Sequence, residues 1–210
     1  MTTFVRYTTR QQSKNMKQRL LSLVVLACTI FVCSARPAVD EQESRLRMNI
    51  SEAQARSDEK GFYEASDNYL HYLLTKKKWE QYYEAWLDRI TYNINQNHYF
   101  RSYADIKQMS QDIKEHHEEK YQYLAYIALG RYYNNQGNFE LSEQHYRSAL
   151  ELTDSLSKPH LCVNLHLALA DVASNTNRQR ALDYLNHMED MPKTLRQQAS
   201  IFAQRCLIYD

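Results

Sequence analysis

Apolar residues recur at helical spacing along most of this chain, in runs divided by short polar stretches. Tyr63, Tyr69, Leu70, Leu73 and Leu74 predict a helix over Phe62–Leu74, with Gly61 interrupting the chain before it and Lys76-Lys77-Lys78 as a polar turn after it. Trp79, Tyr82, Tyr83, Trp86, Leu87 and Ile90 form the apolar stripe of a second helix over Trp79–Ile94. Asn93, Asn95 and Asn97 read as the next turn, and Tyr103, Ile106, Met109 and Ile113 share one face of a third helix over Phe100–His117. Further on, Pro159 and Pro192 stand where helices should begin, and Leu195, Ala199, Phe202 and Cys206 recur at helical spacing between Pro192 and Tyr209.

The most regular stretch is Tyr123–Leu156. Tyr126, Leu129, Gly130 and Tyr133 fall on one side of a first helix, Asn134-Asn135-Gln136-Gly137 breaks it, and Phe139, Ser142, Tyr146 and Ala149 fall on one side of a second. Small residues at Gly130, Ser142 and Ala149 let two helix backbones approach closely. This order and spacing resembles the tetratricopeptide repeat, a helical hairpin of about 34 residues. Seven of its eight characteristic positions hold the expected kind of residue, and the eighth, commonly Pro, is Asp154. The resemblance implies an all-α fold of antiparallel helical hairpins stacked as a right-handed solenoid.

Equating Ser102, Ser142 and Ala181 gives two nearly equal repeat steps of about 40 residues, longer than the usual tetratricopeptide unit. The excess is expected in the connections between hairpins. Arg89 does not fit a core position in the earlier hairpin. In the later one Leu165, Ala168, Val172, Ala181, Leu185 and Met188 match in spacing, with Leu169 where a small residue is usual. The last helix has the pattern of a first helix with no second helix after it, which leaves its apolar face for a partner or for self-association.

Ahead of the repeats, Lys17 and Arg19 supply a short positive segment and Leu20–Val32 is nearly unbroken apolar sequence. Cys33-Ser34-Ala35 places small residues at the −3 and −1 positions of a cleavage site. Residues 1–35 therefore read as a secretory signal peptide, with Met16 a second candidate initiator. The apolar stretch Leu20–Ala35 falls short of the roughly 20 residues that a spanning helix needs, so cleavage is favoured over an uncleaved membrane anchor. Residues 36–60 read as a polar helix or tether, and 61–210 as the repeats. Cleavage would leave Cys162 and Cys206, both expected in first helices as small buried residues, with a disulfide between them open in an oxidising compartment.

Composition narrows the function. Three Gly and three Pro in 210 residues exclude a many-stranded β fold. A net charge of +1 gives no bulk attraction to nucleic acid. Seventeen Tyr mean that many ring hydroxyls must reach water or a partner. His116-His117-Glu118-Glu119 lacks the spacing that puts two His one helical turn apart, no phosphate loop or nucleophile elbow is present, and no cofactor is implied. The chain does not read as an enzyme.

In tetratricopeptide proteins the first helices line a groove that takes an extended peptide or a partner helix. Carried onto this sequence, the resemblance implies groove-facing positions at Leu124, Ile127, Arg131, Asn134, Asn135, Val163, His166 and Ala170, without the full Lys and Asn set of a carboxylate clamp. The Tyr-rich run from Tyr82 to Met109, behind a signal-like segment, is similar to the periplasmic repeat region of Bacteroidota-type sensor histidine kinases and transcriptional regulators. That resemblance implies an exported, periplasmic module for protein interaction or ligand sensing, the N-terminal part of a truncated membrane signalling protein. Its partner would be a protein or peptide, with a small molecule as the lesser alternative. The competing expectation is a stand-alone repeat scaffold that assembles protein partners.

Overall fold

The computed structural model describes residues 40–153 and 157–209, so the expected signal peptide and Asp154 lie outside the described residues. The described residues are all-helical: nine α-helices, one 3₁₀ turn and no strand. The helices are α1 (Glu41–Ala55), α2 (Glu59–Thr75), α3 (Trp79–Asn95), α4 (Tyr99–Glu115), α5 (Gln122–Asn135), α6 (Phe139–Glu151), α7 (Pro159–Ser174), α8 (Arg178–Asn186) and α9 (Leu195–Tyr209). The 3₁₀ turn, Glu119–Tyr121, leads directly into α5. Contacts divide the chain into two compact units at Met48. In the first, residues 40–48 form the start of α1, with Arg45–Glu41 and Arg47–Glu43 ion pairs one helical turn apart at 3.3 and 3.4 Å. The second runs from Asn49 onward and holds the remaining elements.

The first five links between successive helices repeat a single geometry. Left-handed backbone occurs at Ser57, Lys77, Asn97, His117 and Gly137, at a constant interval along the chain. At Lys77 the amide donates to the Leu74 carbonyl at 3.0 Å and the next amide, of Lys78, donates to Leu73 at 3.0 Å. Paired bonds of the same kind close the other four links, the Schellman arrangement that satisfies the last carbonyls of a helix. Four of these five positions are not glycine, so each holds a conformation that L side chains disfavour. The helices α2, α3 and α4 are 17 residues each, and the links between them are only Lys76–Lys78 and Gln96–His98. From α2 to α4 the excess over the usual tetratricopeptide hairpin therefore lies in the helices, whereas the connections over 116–121 and 152–158 are longer, where the excess was expected.

Gly61 does not interrupt the chain. It is the third residue of α2, whose N-cap is Asp58, and its amide donates to Asp58 Oδ1 at 2.9 Å. A Cβ at Gly61 would lie 2.3 Å from Asp58 Oδ2, so the missing side chain makes room for the capping carboxylate. Asn138 and Asn177 cap α6 and α8 in the same way. Pro159 sits in the first turn of α7, where its missing N–H costs nothing.

From α2 to α9 helix follows helix in packing as in sequence, each contacting its neighbours. The buried faces match the expected stripes closely in α3 and α4, including Tyr82, Tyr83, Trp86, Ile90, Ile106, Met109 and Ile113. Ser102, Ser142 and Ala181, the positions equated by period, are all fully buried. At Gly130 the α5 backbone lies against the Tyr146 ring, close enough that a Cβ would sit 2.7 Å from it, and Ser142 Oγ donates to the Gly130 carbonyl at 2.8 Å. Asn93 is not part of a turn. It is fully buried in α3, where it accepts from the Tyr63 hydroxyl and donates to Asp105 Oδ2 at 2.9 Å. Arg89, which fits no apolar pattern, spans Asp67 at 2.5 Å and Asp105 at 3.4 Å.

The last helix starts at Leu195, three residues beyond Pro192, and is set by a capping box: Thr194 N–H donates to Gln197 Oε1 at 3.0 Å and Gln197 N–H to Thr194 Oγ1 at 3.2 Å. Its inward face is also other than expected. Gln197 and Ile208 are buried and Ile201 packs on the core, whereas Leu195 and Phe202 are 83% and 72% exposed and Cys206 faces solvent. Gln197 donates to the His160 carbonyl and to Asn164, and Gln204 to the Leu167 carbonyl, so amide side chains bind α9 to α7. Cys162 is buried as expected, and neither Cys162 nor Cys206 forms a disulfide. No helix among the described residues is long and apolar enough to cross a membrane.

Candidate functional groove

A surface groove of about 320 Å³ runs along α3, α5 and α7, with Tyr146 of α6 reaching its base. α3 contributes Glu84, Leu87 and Asp88, α5 contributes Leu124, Ile127 and Arg131, and α7 contributes Leu161, Asn164, Leu165 and Ala168. Apart from the adjacent pairs Leu87–Asp88 and Asn164–Leu165, these residues stand three, four or seven apart within each helix, so each set forms one stripe. Leu87, Leu124, Ile127 and Leu165 are at most 7% exposed and make an apolar floor, while the polar groups stand at the rim. A second hollow of about 280 Å³, lined by Tyr123, Lys158, Pro159 and His160 among others, shares Glu84, Leu124 and Leu161 with the first and extends it.

Charge is placed unevenly along this surface. Lys158 Nζ pairs with Glu80 at one end and lies 5.6 Å from the Tyr123 ring centre. The Glu80 bond holds the Lys158 ammonium above its usual range, outweighing the opposing effect of burial. Burial raises the Tyr123 hydroxyl even though Lys158 pulls it down. At the other end Arg131 Nη1 donates to Thr91 Oγ1 at 2.6 Å. Glu84 and Asp88 lie between these two ends, one helical turn apart on α3. Burial against the α5 backbone pushes the Tyr146 hydroxyl up to about 12, so it is a neutral donor at any physiological pH.

Three of the expected groove residues, Leu124, Ile127 and Arg131, line this surface. Asn134 and Asn135 end α5 away from it: the Asn134 carbonyl closes the link by accepting from Gly137, and Asn135 accepts from the Tyr99 hydroxyl at 2.7 Å. Val163 and Ala170 are completely buried in the core shared by α7, α8 and α9. His166 is buried with its Nδ1 2.9 Å from the Cys162 carbonyl, and burial lowers its pKa.

A difference of step displaces the expected α7 positions. Glu84 and Leu87 precede Leu124 and Ile127 by one full repeat step, whereas Leu161, Asn164 and Ala168 follow Leu124, Ile127 and Arg131 by a shorter one. The step between α6 and α8, measured from Ser142 to Ala181, is longer by two positions and does not apply to α5 and α7. Applying it there lands on Val163, His166 and Ala170 and turns each out of the stripe, because two positions rotate a helix by about 200°.

Outside the groove, His116 ends α4 with its Nδ1 3.2 Å from Asp112 Oδ1, and Asp112 also accepts from Tyr83 at 3.0 Å. Burial and that carboxylate together raise the Tyr83 hydroxyl. His117 occupies a left-handed link position, so the two adjacent His rings serve different local structures. Among the described residues no group of three or more His, Cys, Asp or Glu is placed to hold a metal. No family model matches the chain, and neither the curated proteins nor the solved structures compared with it include a match.

Proposed function

We propose that this chain is an exported helical-repeat interaction module, a binding protein and not an enzyme, whose α3–α5–α7 groove holds a peptide segment of a partner protein. The observation that carries this reading is the recurrence of one groove stripe in three alternate helices, with an apolar floor at Leu87, Leu124, Ile127 and Leu165. Recurring short links, helices that pack on their sequence neighbours and the close approach at Gly130 favour antiparallel hairpins of the tetratricopeptide kind, stacked as a right-handed solenoid. The signal-like segment up to Ala35 supports an extracytoplasmic, periplasmic setting, and a sensory input role is the form of the proposal that follows the resemblance to sensor proteins.

Selection of random dodecapeptides displayed on phage against the full chain tests the groove. Selected peptides should lose binding to an Ala168→Trp variant, which fills the groove, and keep binding to Phe202→Asp on α9. Equal binding to the Ala168→Trp protein would remove the groove from the proposal. Export is tested by the N-terminal residue of the protein recovered from the periplasm, expected to be Arg36.

The outward face of α9 favours a second reading, a scaffold that assembles protein partners. Leu195, Phe202, Leu207 and Tyr209 are four of the exposed large apolar residues, gathered on one 15-residue helix. Sedimentation of wild type and Phe202→Asp as identical monomers at high concentration would exclude self-association through that face.

A further inference from the structure

We infer that the groove selects a short extended segment that carries a basic side chain, Lys or Arg, next to an apolar one; this rests on the proposed reading of the groove as a peptide site. The distribution of charge along the groove is the reason. Its two cations stand at its ends, each engaged by a group of α3: Lys158 by Glu80, and Arg131 by the Thr91 hydroxyl. The middle of the α3 wall is anionic, with Glu84 and Asp88 separated by one turn. Across from them, α7 offers the neutral amide of Asn164 between Leu161 and Leu165.

Length sets the size of the ligand. The helix from Leu124 to Arg131 is roughly 10 Å long at about 1.5 Å per residue. Three extended residues, at about 3.3 Å each, cover that distance. An apolar side chain on such a segment fits the hollow over Leu124 and Leu161, and its neighbour on the sequence turns toward the α3 wall, because successive side chains of an extended chain point to opposite sides. The group met there is a carboxylate. A basic side chain is attracted, a neutral one is tolerated, and an acidic one is repelled, so the wall discriminates against wrong ligands as well as for right ones. The Arg131 guanidinium, with donors beyond the one given to Thr91, suits a backbone carbonyl or a carboxylate leaving the groove at that end.

The test uses the full chain and three fluorescein-labelled octapeptide pools. All carry Leu, Ile, Phe or Met at one position, followed by Lys or Arg in the first pool, Gln or Asn in the second and Asp or Glu in the third, with Gly, Ser and Ala elsewhere. Fluorescence anisotropy at low salt should rank them basic, neutral, acidic, with the basic pool bound about fivefold more tightly than the neutral. A Glu84→Gln, Asp88→Asn double variant should bring the basic and neutral pools to equal affinity, and Ala168→Trp should abolish binding of all three. Equal binding of basic and neutral pools to the wild type overturns the charge selectivity while leaving the groove as a peptide site. Binding by none of the pools, or undiminished binding by Ala168→Trp, overturns the inference and the groove reading together.

Discussion

Replacing Gly130 by Ala sets two known effects against each other. Gly130 lies inside α5, where alanine is the better helix former by about 1 kcal/mol. At the same point a new Cβ would stand 2.7 Å from Tyr146 Cδ1 and Cε1 and 2.9 Å from Cγ, distances that real Cβ atoms essentially never adopt. The Tyr146 ring cannot swing aside into water, because it is 5% exposed and wedged between α5 and the groove floor. Ser142 also fixes the backbone spacing through its bond to the Gly130 carbonyl. Overpacking of this kind costs about 1–3 kcal/mol, so the net loss should be about 1 kcal/mol and the melting temperature should fall by about 2–4 °C. Urea unfolding followed by the fluorescence of Trp79 and Trp86, both in α3, reads the change. The decisive comparison is the same substitution in a Tyr146→Leu background. With the ring gone the clash disappears and Gly130→Ala should become stabilising by about 1 kcal/mol, a change of sign that a double-mutant cycle detects. Gly130→Ala stabilising the wild type as much as the Tyr146→Leu protein would refute the reasoning, since it would mean that no close approach constrains position 130.

Other substitutions probe the links, the buried ion network and the histidines. Lys77→Gly should raise stability by about 0.5–1 kcal/mol by relieving a left-handed lysine, while Gly137→Ala should lower it by about 1 kcal/mol; urea midpoints of the two variants check both signs. Arg89→Met should cost about 3 kcal/mol at neutral pH, because Asp105 loses its cation while staying buried. Burial already raises the Asp105 carboxyl against the pull of Arg89, so the penalty should shrink toward acid pH as that carboxyl takes a proton, which unfolding at pH 5 and 7.5 compares. Burial lowers the pKa of His145 and of His166, so the unfolded chain binds these protons more readily than the folded one. Stability should therefore be full above about pH 6.5 and fall below it, and a His145→Gln, His166→Gln double variant should have a flatter melting temperature between pH 7 and 5.

Where the sequence separates apolar from polar faces cleanly, the elements can be read from it. α3 and α4 show this: their stripes at Tyr82, Trp86, Ile90 and at Ile106, Met109, Ile113 are buried as their spacing implies. Three situations hide the answer. Polar residues that bury each other leave no apolar signal, so Asn93 looks like a turn residue and Arg89 a misfit, although Asp105 joins them in one buried network. A helix apolar on both sides gives a period but not its orientation: on α9 the more apolar stripe faces out, and two glutamines that satisfy α7 carbonyls face in. A helix apolar all round gives not even that. In α7, Val163 and Leu165 are equally buried, yet only Leu165 borders the groove, and the shorter step that distinguishes them is visible only once the helices are in place. The links are obscured in another way, because four of five use Ser, Lys, Asn or His where glycine would have announced the turn.

The regular spacing of those links constrains how such a chain can change in length. One residue gained or lost inside a helix rotates everything beyond it by about 100°, and the three-residue links at Ser57, Lys77, Asn97 and Gly137 have no slack to absorb the turn. Loss of a single helix with its link would keep the remaining links but exchange groove-facing helices for outward ones. Only a block of two helices with both their links restores the pattern, so that pair is the smallest piece that duplication or excision can move without rebuilding the groove. Past Gly137 the spacing breaks, and changes of odd length should be best tolerated between Glu151 and Pro159.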